Sequence, residues 1–298
     1  MTTDPADIRA LGERLSNSGR WGPDDERGTL NFVTTAKTLE AARLIRSGRI
    51  VAASHTFNMA PTVHKPRPGY HRMLYREDRN AAVDAVMIEP HGYEITHIDA
   101  LGHNAMDGVV YNGRRFEDVA TRDGLLFGSV LPMGGGIVTR GVLLDIPRSQ
   151  GRDWVEHGEE IRAADLDRAE AWAGITVGSG DALVVRTGLE AREAVTGPMP
   201  NEVRAGMGVD TIEWLHRREV CLFGGDCIDQ LPSGVPGYNH PLHAIGLGRM
   251  GLVLVDHIAV EELGEACAAE GRWEFFFSIA ALKIPKATGS AVNPLCIF

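Results

Sequence analysis

The chain lacks any apolar run approaching the roughly 18 to 20 residues that a transmembrane helix needs. It also lacks an excess of positive charge. Its 298 residues carry 30 Lys and Arg against 40 Asp and Glu, a formal net charge of −10. Nucleic acid or an anionic membrane would want a basic face, so neither is an expected partner. A small molecule remains. Cysteine is scarce, and Cys221, Cys227, Cys267 and Cys296 show no C-x-x-C spacing. They read as reduced thiols packed as small hydrophobes. The first residues carry acids before any base and no apolar segment, so no secretory signal is expected and the predicted compartment is the cytoplasm. Two chemistries lack their motifs. Met133-Gly134-Gly135-Gly136 has no G-x-x-x-x-G-K-[ST] pattern and reads as a turn before a strand. Gly178-Ser179-Gly180 is not a G-x-S-x-G elbow, which disfavours a serine hydrolase.

What is present is ordinary globular material, 44% hydrophobic and 23% charged. The length suits one large domain spanning 1–298, with a core that needs no disulfide to hold it. Runs rich in β-branched and apolar residues predict strands at Ile50 to Ala53, Ala85 to Ile88, Ile137 to Ile146, Ala182 to Arg186, Val220 to Phe223, Leu252 to Val255 and Glu274 to Ile284. Helical patterns fall at Ile8 to Leu15, Ala36 to Ile45, Ala164 to Ala173, Asp210 to Arg217 and Val260 to Ala269. Strands outnumber helices without strict βαβ order. An α/β fold with a mixed sheet and peripheral helices is therefore expected, preceded by a helical arm over 1–50. Pro61 to Asn80 and Gly225 to Pro241 read as long loops, the first a candidate lid.

Six of the 11 histidines fall in two groups. His91, His97 and His103 lie within HGYEITHIDALGH, and His240, His243 and His257 within YNHPLHAIGLGRMGLVLVDH. On a strand, His97 and Asp99 share a face and can converge on one cation, for which imidazole and carboxylate suit Zn²⁺ or Mn²⁺. His91 would share that face with Tyr93 and Ile95. However, six extended residues span roughly 20 Å, too far for one ion unless the strand bends sharply. The Ala-Leu-Gly turn after Asp99 should return His103 to the same place, as an acid or base near neutral pH. His243, followed by an apolar strand and Asp256, could face the first pair. Gly224-Gly225-Asp226 follows a further strand.

At these residues the chain resembles the putative cyclase family, which includes bacterial kynurenine formamidases and isatin hydrolases. The family signature is H-x-G-T-H-x-D-x-x-x-H, and here Thr96-His97-Ile98-Asp99 is followed by His103 at the expected place. The resemblance to the longer branch of the family extends over Trp21-Gly22-Pro23-Asp24-Asp25, Gly28-Thr29-Leu30-Asn31, Tyr111-Asn112-Gly113, Pro232-Ser233-Gly234-Val235, Pro241-Leu242-His243, Gly289-Ser290 and Asn293-Pro294. It implies a compact α/β domain around a mixed, barrel-like sheet of the cyclase-like swivelling β/β/α kind, assembled as a homodimer or homotetramer. It also implies a divalent metal held by His97, Asp99, His243 and Asp256, with Asp99 bridging if two ions bind, and His103 as the acid–base residue. The resemblance further implies that Asp226 could support a ligand. The signature's first histidine is Tyr93 here and its glycine is Ile95. A phenol is a poor zinc ligand, so the site has either lost that ligand or draws His91 in through a bent strand.

The implied activity is metal-dependent hydrolysis of an amide or cyclic amide, such as a formamide, a lactam or an isatin-like ring. The metal would polarise the carbonyl and acidify a bound water. Tyr93 would hydrogen-bond the carbonyl oxygen, with Trp21, Tyr70 and Tyr75 as candidate linings of the pocket. A lyase or ring-closing enzyme using the same site, and a binding protein without catalysis, are the alternatives.

Overall fold

Four of the most apolar runs in the chain lie side by side as parallel strands at the centre of one sheet. They are buried on both faces, which explains why they read as continuous hydrophobic stretches and not as alternating ones. The computed structural model describes residues 4–57, 60–62, 64, 69–75, 80–198 and 200–298. The strands of three or more residues are β1 (Ile50–Ala52), β2 (Tyr70–Tyr75), β3 (Ala82–Met87), β4 (His97–Asp99), β5 (Ile137–Asp145), β6 (Ala182–Arg186), β7 (Leu222–Gly225), β8 (Val253–Asp256), β9 (Glu274–Ile279), β10 (Gly289–Ala291) and β11 (Leu295–Ile297). The α-helices of five or more residues are α1 (Pro5–Arg14), α2 (Thr35–Ala42), α3 (Ala163–Ala173), α4 (Leu189–Thr196), α5 (Val209–Arg217), α6 (Pro241–Ile245) and α7 (Glu261–Glu270).

The sheet runs β1–β11–β9–β5–β6–β7–β8–β4–β10 and curls into an open half-barrel. Strands β5 to β8 are mutually parallel, while both flanks are antiparallel. The expected mixed α/β architecture is therefore present. Helices connect the parallel strands, so ligands are favoured at the carboxyl ends of those strands. Local chemistry sets the helix starts. Asp4 accepts from the Ala6 amide at 2.8 Å ahead of Pro5, and Thr34 caps α2 by accepting from Lys37 at 3.1 Å. Within the arm over 1–50, Ile8 and Ala41 are buried.

Three expectations need correction. The strand predicted from Glu274 to Ile284 stops at Ile279, because Ile279 pairs with Ile137 at the very start of β5 and no ladder partner lies beyond it. The loop over 61–80 is in part a ribbon. Tyr70–Tyr75 pairs antiparallel with Ala82–Met87, and residues 63, 65–68 and 76–79 lie outside the described residues. The segment from His91 to Asp99 is not one strand. Residues 92–95 bend, and only His97–Asp99 pairs.

Candidate active site

The site begins with a register. β4 pairs antiparallel with β8 so that His97 lies opposite Asp256, and with β10 so that Asp99 lies opposite Gly289. His97 and Asp99, two residues apart, share one face. Asp256 comes from the carboxyl end of a parallel strand. The fourth group, His243, comes from the short helix α6. Its Nε2 lies 3.5 Å from Asp99 Oδ2 and 3.3 Å from Asp256 Oδ2. His97 Nε2 lies 3.5 Å from Asp99 Oδ1. All four residues are buried.

The other nitrogen of each histidine is occupied, which fixes the ring. His97 Nδ1 donates to the Ile95 carbonyl at 2.7 Å, leaving Nε2 with its lone pair toward the cluster. His243 Nδ1 lies 2.5 Å from Asp229 Oδ2, and the Asp229 carboxylate also accepts from the backbone amides of Leu242 at 2.7 Å and His243 at 3.3 Å. One carboxylate thus holds both the start of α6 and the imidazole it presents. The sequence pointed three residues too early. Asp226 accepts from the amides of Thr187, Gly188 and Leu189 at 2.8 to 3.0 Å, tying the end of β6 to the start of α4.

His91 reaches the cluster because the chain bends. Gly92 has φ of 116°, a conformation that L side chains rarely adopt. His91 Nδ1 then lies 3.0 Å from Asp99 Oδ1, while its Nε2 meets Thr288 Oγ1 at 3.0 Å. Of the two alternatives left open at Tyr93, the geometry favours the bent one. The close approach also needs Gly289, where an added Cβ would fall 2.6 Å from His91 Cε1. His103 returns through the predicted turn, its amide bonded to the Ala100 carbonyl at 2.9 Å, and its ring stacks on His91 at 4.0 Å.

Tyr93, His103, Arg204, His240 and His257 line the same cavity of about 310 Å³ as the five clustered residues. The Tyr93 hydroxyl lies 3.3 Å from His240 Nε2, and the Arg204 guanidinium sits over the Tyr93 ring at 4.2 Å. His257, in a left-handed conformation with φ of 55°, stacks on His55. Trp21 is elsewhere, packed edge-on against Phe32. The side chains of Tyr70 and Tyr75 lie outside the described residues.

The electrostatics favour positive charge at the centre. Burial alone would raise the pKa of Asp99, but the hydrogen bond from His91 and the neighbouring His103, His97 and His243 outweigh it and hold the carboxyl well below its usual range. Burial opposes charge on His243, yet Asp256 and Asp229 overcome it and raise its pKa well above the usual value. His103 moves the other way, because burial lowers its pKa and Asp99 only partly offsets this. Burial raises Tyr93.

The same residues fit a divalent cation. Asp99 Oδ2 and Asp256 Oδ1 are buried without a hydrogen-bond partner, a costly state that a cation would relieve. Ligand atoms of His91, His97 and Asp99 form one group within 4.8 Å of one another, and those of Asp99, His243 and Asp256 form another. Asp99 is common to both. Imidazole nitrogens with carboxylate oxygens are the donor set of transition-metal ions.

Residues 51–230, more than half the chain, match the family described as "Putative cyclase". The crystal structure of a novel cyclase is 28% identical, with 96% of this chain and 99% of that chain covered and a TM-score of 0.84. Isatin hydrolase A from Labrenzia aggregata, bound to benzyl benzoate, is 19% identical, with 88% and 98% covered and a TM-score of 0.57. A predicted metal-dependent hydrolase from Bacillus stearothermophilus is 12% identical, with 84% and 98% covered and a TM-score of 0.54. No curated protein matches the chain.

Proposed function

Because this chain belongs to the putative cyclase family, we propose that it is a metal-dependent hydrolase of small amides or cyclic amides, acting on C–N bonds other than peptide bonds. One observation carries the reading. Three imidazoles and two carboxylates from β4, β8, α6 and the loop before β4 converge in one cavity, with the far nitrogens of His97 and His243 already engaged. His97, Asp99, His243, Asp256 and His91 would hold Zn²⁺ or Mn²⁺. Such an ion supplies Lewis acidity, polarising a carbonyl and making water a nucleophile near neutral pH.

The chain's own residues do the rest. His103, kept neutral by burial, takes a proton from the attacking water and delivers it to the leaving nitrogen. Tyr93 keeps its phenolic proton and can donate it to the carbonyl oxygen as charge builds there. The reaction is tested with metal-loaded protein and small formamides, lactams and isatin-type rings in ¹⁸O water. One solvent oxygen in the product is expected. Turnover without label would identify ring closure or elimination instead.

The protein works in the cytoplasm, a placement supported by its four buried free cysteines. It assembles with copies of itself, as a dimer or tetramer. The support is the exposed apolar surface of the β2–β3 ribbon, where Met73, Leu74, Val83, Val86 and Met87 face solvent.

A further inference from the structure

We propose that Arg204 is a carboxylate anchor, so that the substrate of this site is an amide carrying a carboxylate group of its own. The inference deepens the hydrolase reading and rests on it. Arg204 is 2% exposed, lines the cavity that holds the clustered histidines and aspartates, and has no hydrogen-bond partner at Nε or Nη2. Buried arginines are ordinarily paired, because an uncompensated guanidinium loses its hydration for nothing in return. The same protein shows the ordinary case. Arg186, comparably buried, pairs with Asp145 at 3.0 Å and Glu261 at 2.8 Å.

The cavity's own carboxylates are spoken for. Asp226 accepts from three backbone amides, Asp229 holds His243, and Asp99 and Asp256 face the histidine cluster. Among the described residues none of them makes an ion pair with Arg204. The Tyr93 ring lies under the guanidinium, whose carbon is 4.2 Å from the ring centroid, and an aromatic ring is no acceptor for the unpartnered N–H groups at Nε and Nη2. The neighbouring Cys227 thiol is a weak acceptor. What the geometry lacks is a planar anion that accepts two parallel N–H bonds, and a carboxylate is that group.

The anchor is also stiff. The backbones of Arg204 and Leu231 exchange both hydrogen bonds, at 2.9 and 3.0 Å, and the Met207 amide bonds to the Ile228 carbonyl at 2.7 Å. The segment bearing Arg204 is thereby clamped to the segment bearing Asp229, which aims His243. A substrate held at Arg204 is held in fixed relation to the cluster, as productive orientation requires. A cavity of about 310 Å³ is at the small end for ligand pockets, room for a single-ring or short-chain compound.

The test uses benzoate and its neutral counterpart benzamide, titrated by calorimetry into metal-loaded protein, with metal content measured separately for every variant. Benzoate should bind wild type about tenfold or more tightly than benzamide, given the worth of a hydrogen bond to a charged group. Arg204→Met should erase that preference at unchanged metal content. Arg204→Lys, which keeps the charge but not the fork, should retain part of it and serves if the methionine variant fails to fold. Benzoate affinity unchanged in either variant, or no preference in wild type, overturns the proposal and leaves the metal reading intact. Arg204-dependent benzoate binding in a protein that takes up no metal would sink the hydrolase reading and keep the anchor.

Discussion

At the scale of single residues, Asp229 and His103 separate two jobs that lie a few ångströms apart. Asp229 would influence a bound cation only through His243, whose ring it aims. Asp229→Asn should weaken metal affinity about 10- to 100-fold, the usual cost of losing a carboxylate behind a ligating histidine. Competition against a chelator measures it, and an unchanged constant would make Asp229 a cap of α6 alone. His103 has the opposite signature. His103→Ala should keep full metal occupancy while turnover falls by about 10² to 10⁴. Metal lost from that variant would make His103 a ligand. His97, Asp99 and His103 were legible in the sequence because a three-residue strand and one turn connect them, so spacing determines geometry. Asp229 and Arg204 were not. Asp229 aims His243 from 14 positions away and Arg204 packs over Tyr93 from a distant part of the chain, and no local pattern records such pairings.

At the scale of elements, β10 is a three-residue strand that the apolar pattern does not reveal, yet it builds the floor under His91. Its Gly289 faces Asp99 in register and leaves room for the His91 ring. Gly289→Ala puts a Cβ 2.6 Å from His91 Cε1 and 2.8 Å from the Ile98 carbonyl. Because one of those neighbours is backbone, strand or ring must shift. The variant should lower both the melting temperature and metal affinity, read by calorimetry and by chelator competition. An unperturbed metal constant would show that His91 is dispensable. The parallel strands β5 to β8 were readable as continuous apolar runs, since burial on both faces demands them. The bend after His91 was not, because Gly92 permits it while the fold imposes it.

At the scale of the whole molecule, one cavity at the carboxyl ends of the parallel strands gathers side chains from β4, β8, α6 and the loops after β3 and β7. Its exterior carries the apolar β2–β3 ribbon, with Val86 53% and Met87 62% exposed. Light scattering should therefore give a mass at least twice 32.3 kDa, and Val86→Lys with Met87→Lys should reduce it. A monomeric wild type would contradict self-assembly through that face. The central claim is the metal, and elemental analysis of protein prepared without chelators tests it most directly. Zinc or manganese at one or two equivalents per chain is predicted, falling well below one in Asp99→Ala, because Asp99 belongs to both ligand groups. Metal well under one equivalent in wild type, with no uptake on adding Mn²⁺ or Zn²⁺, would contradict the account.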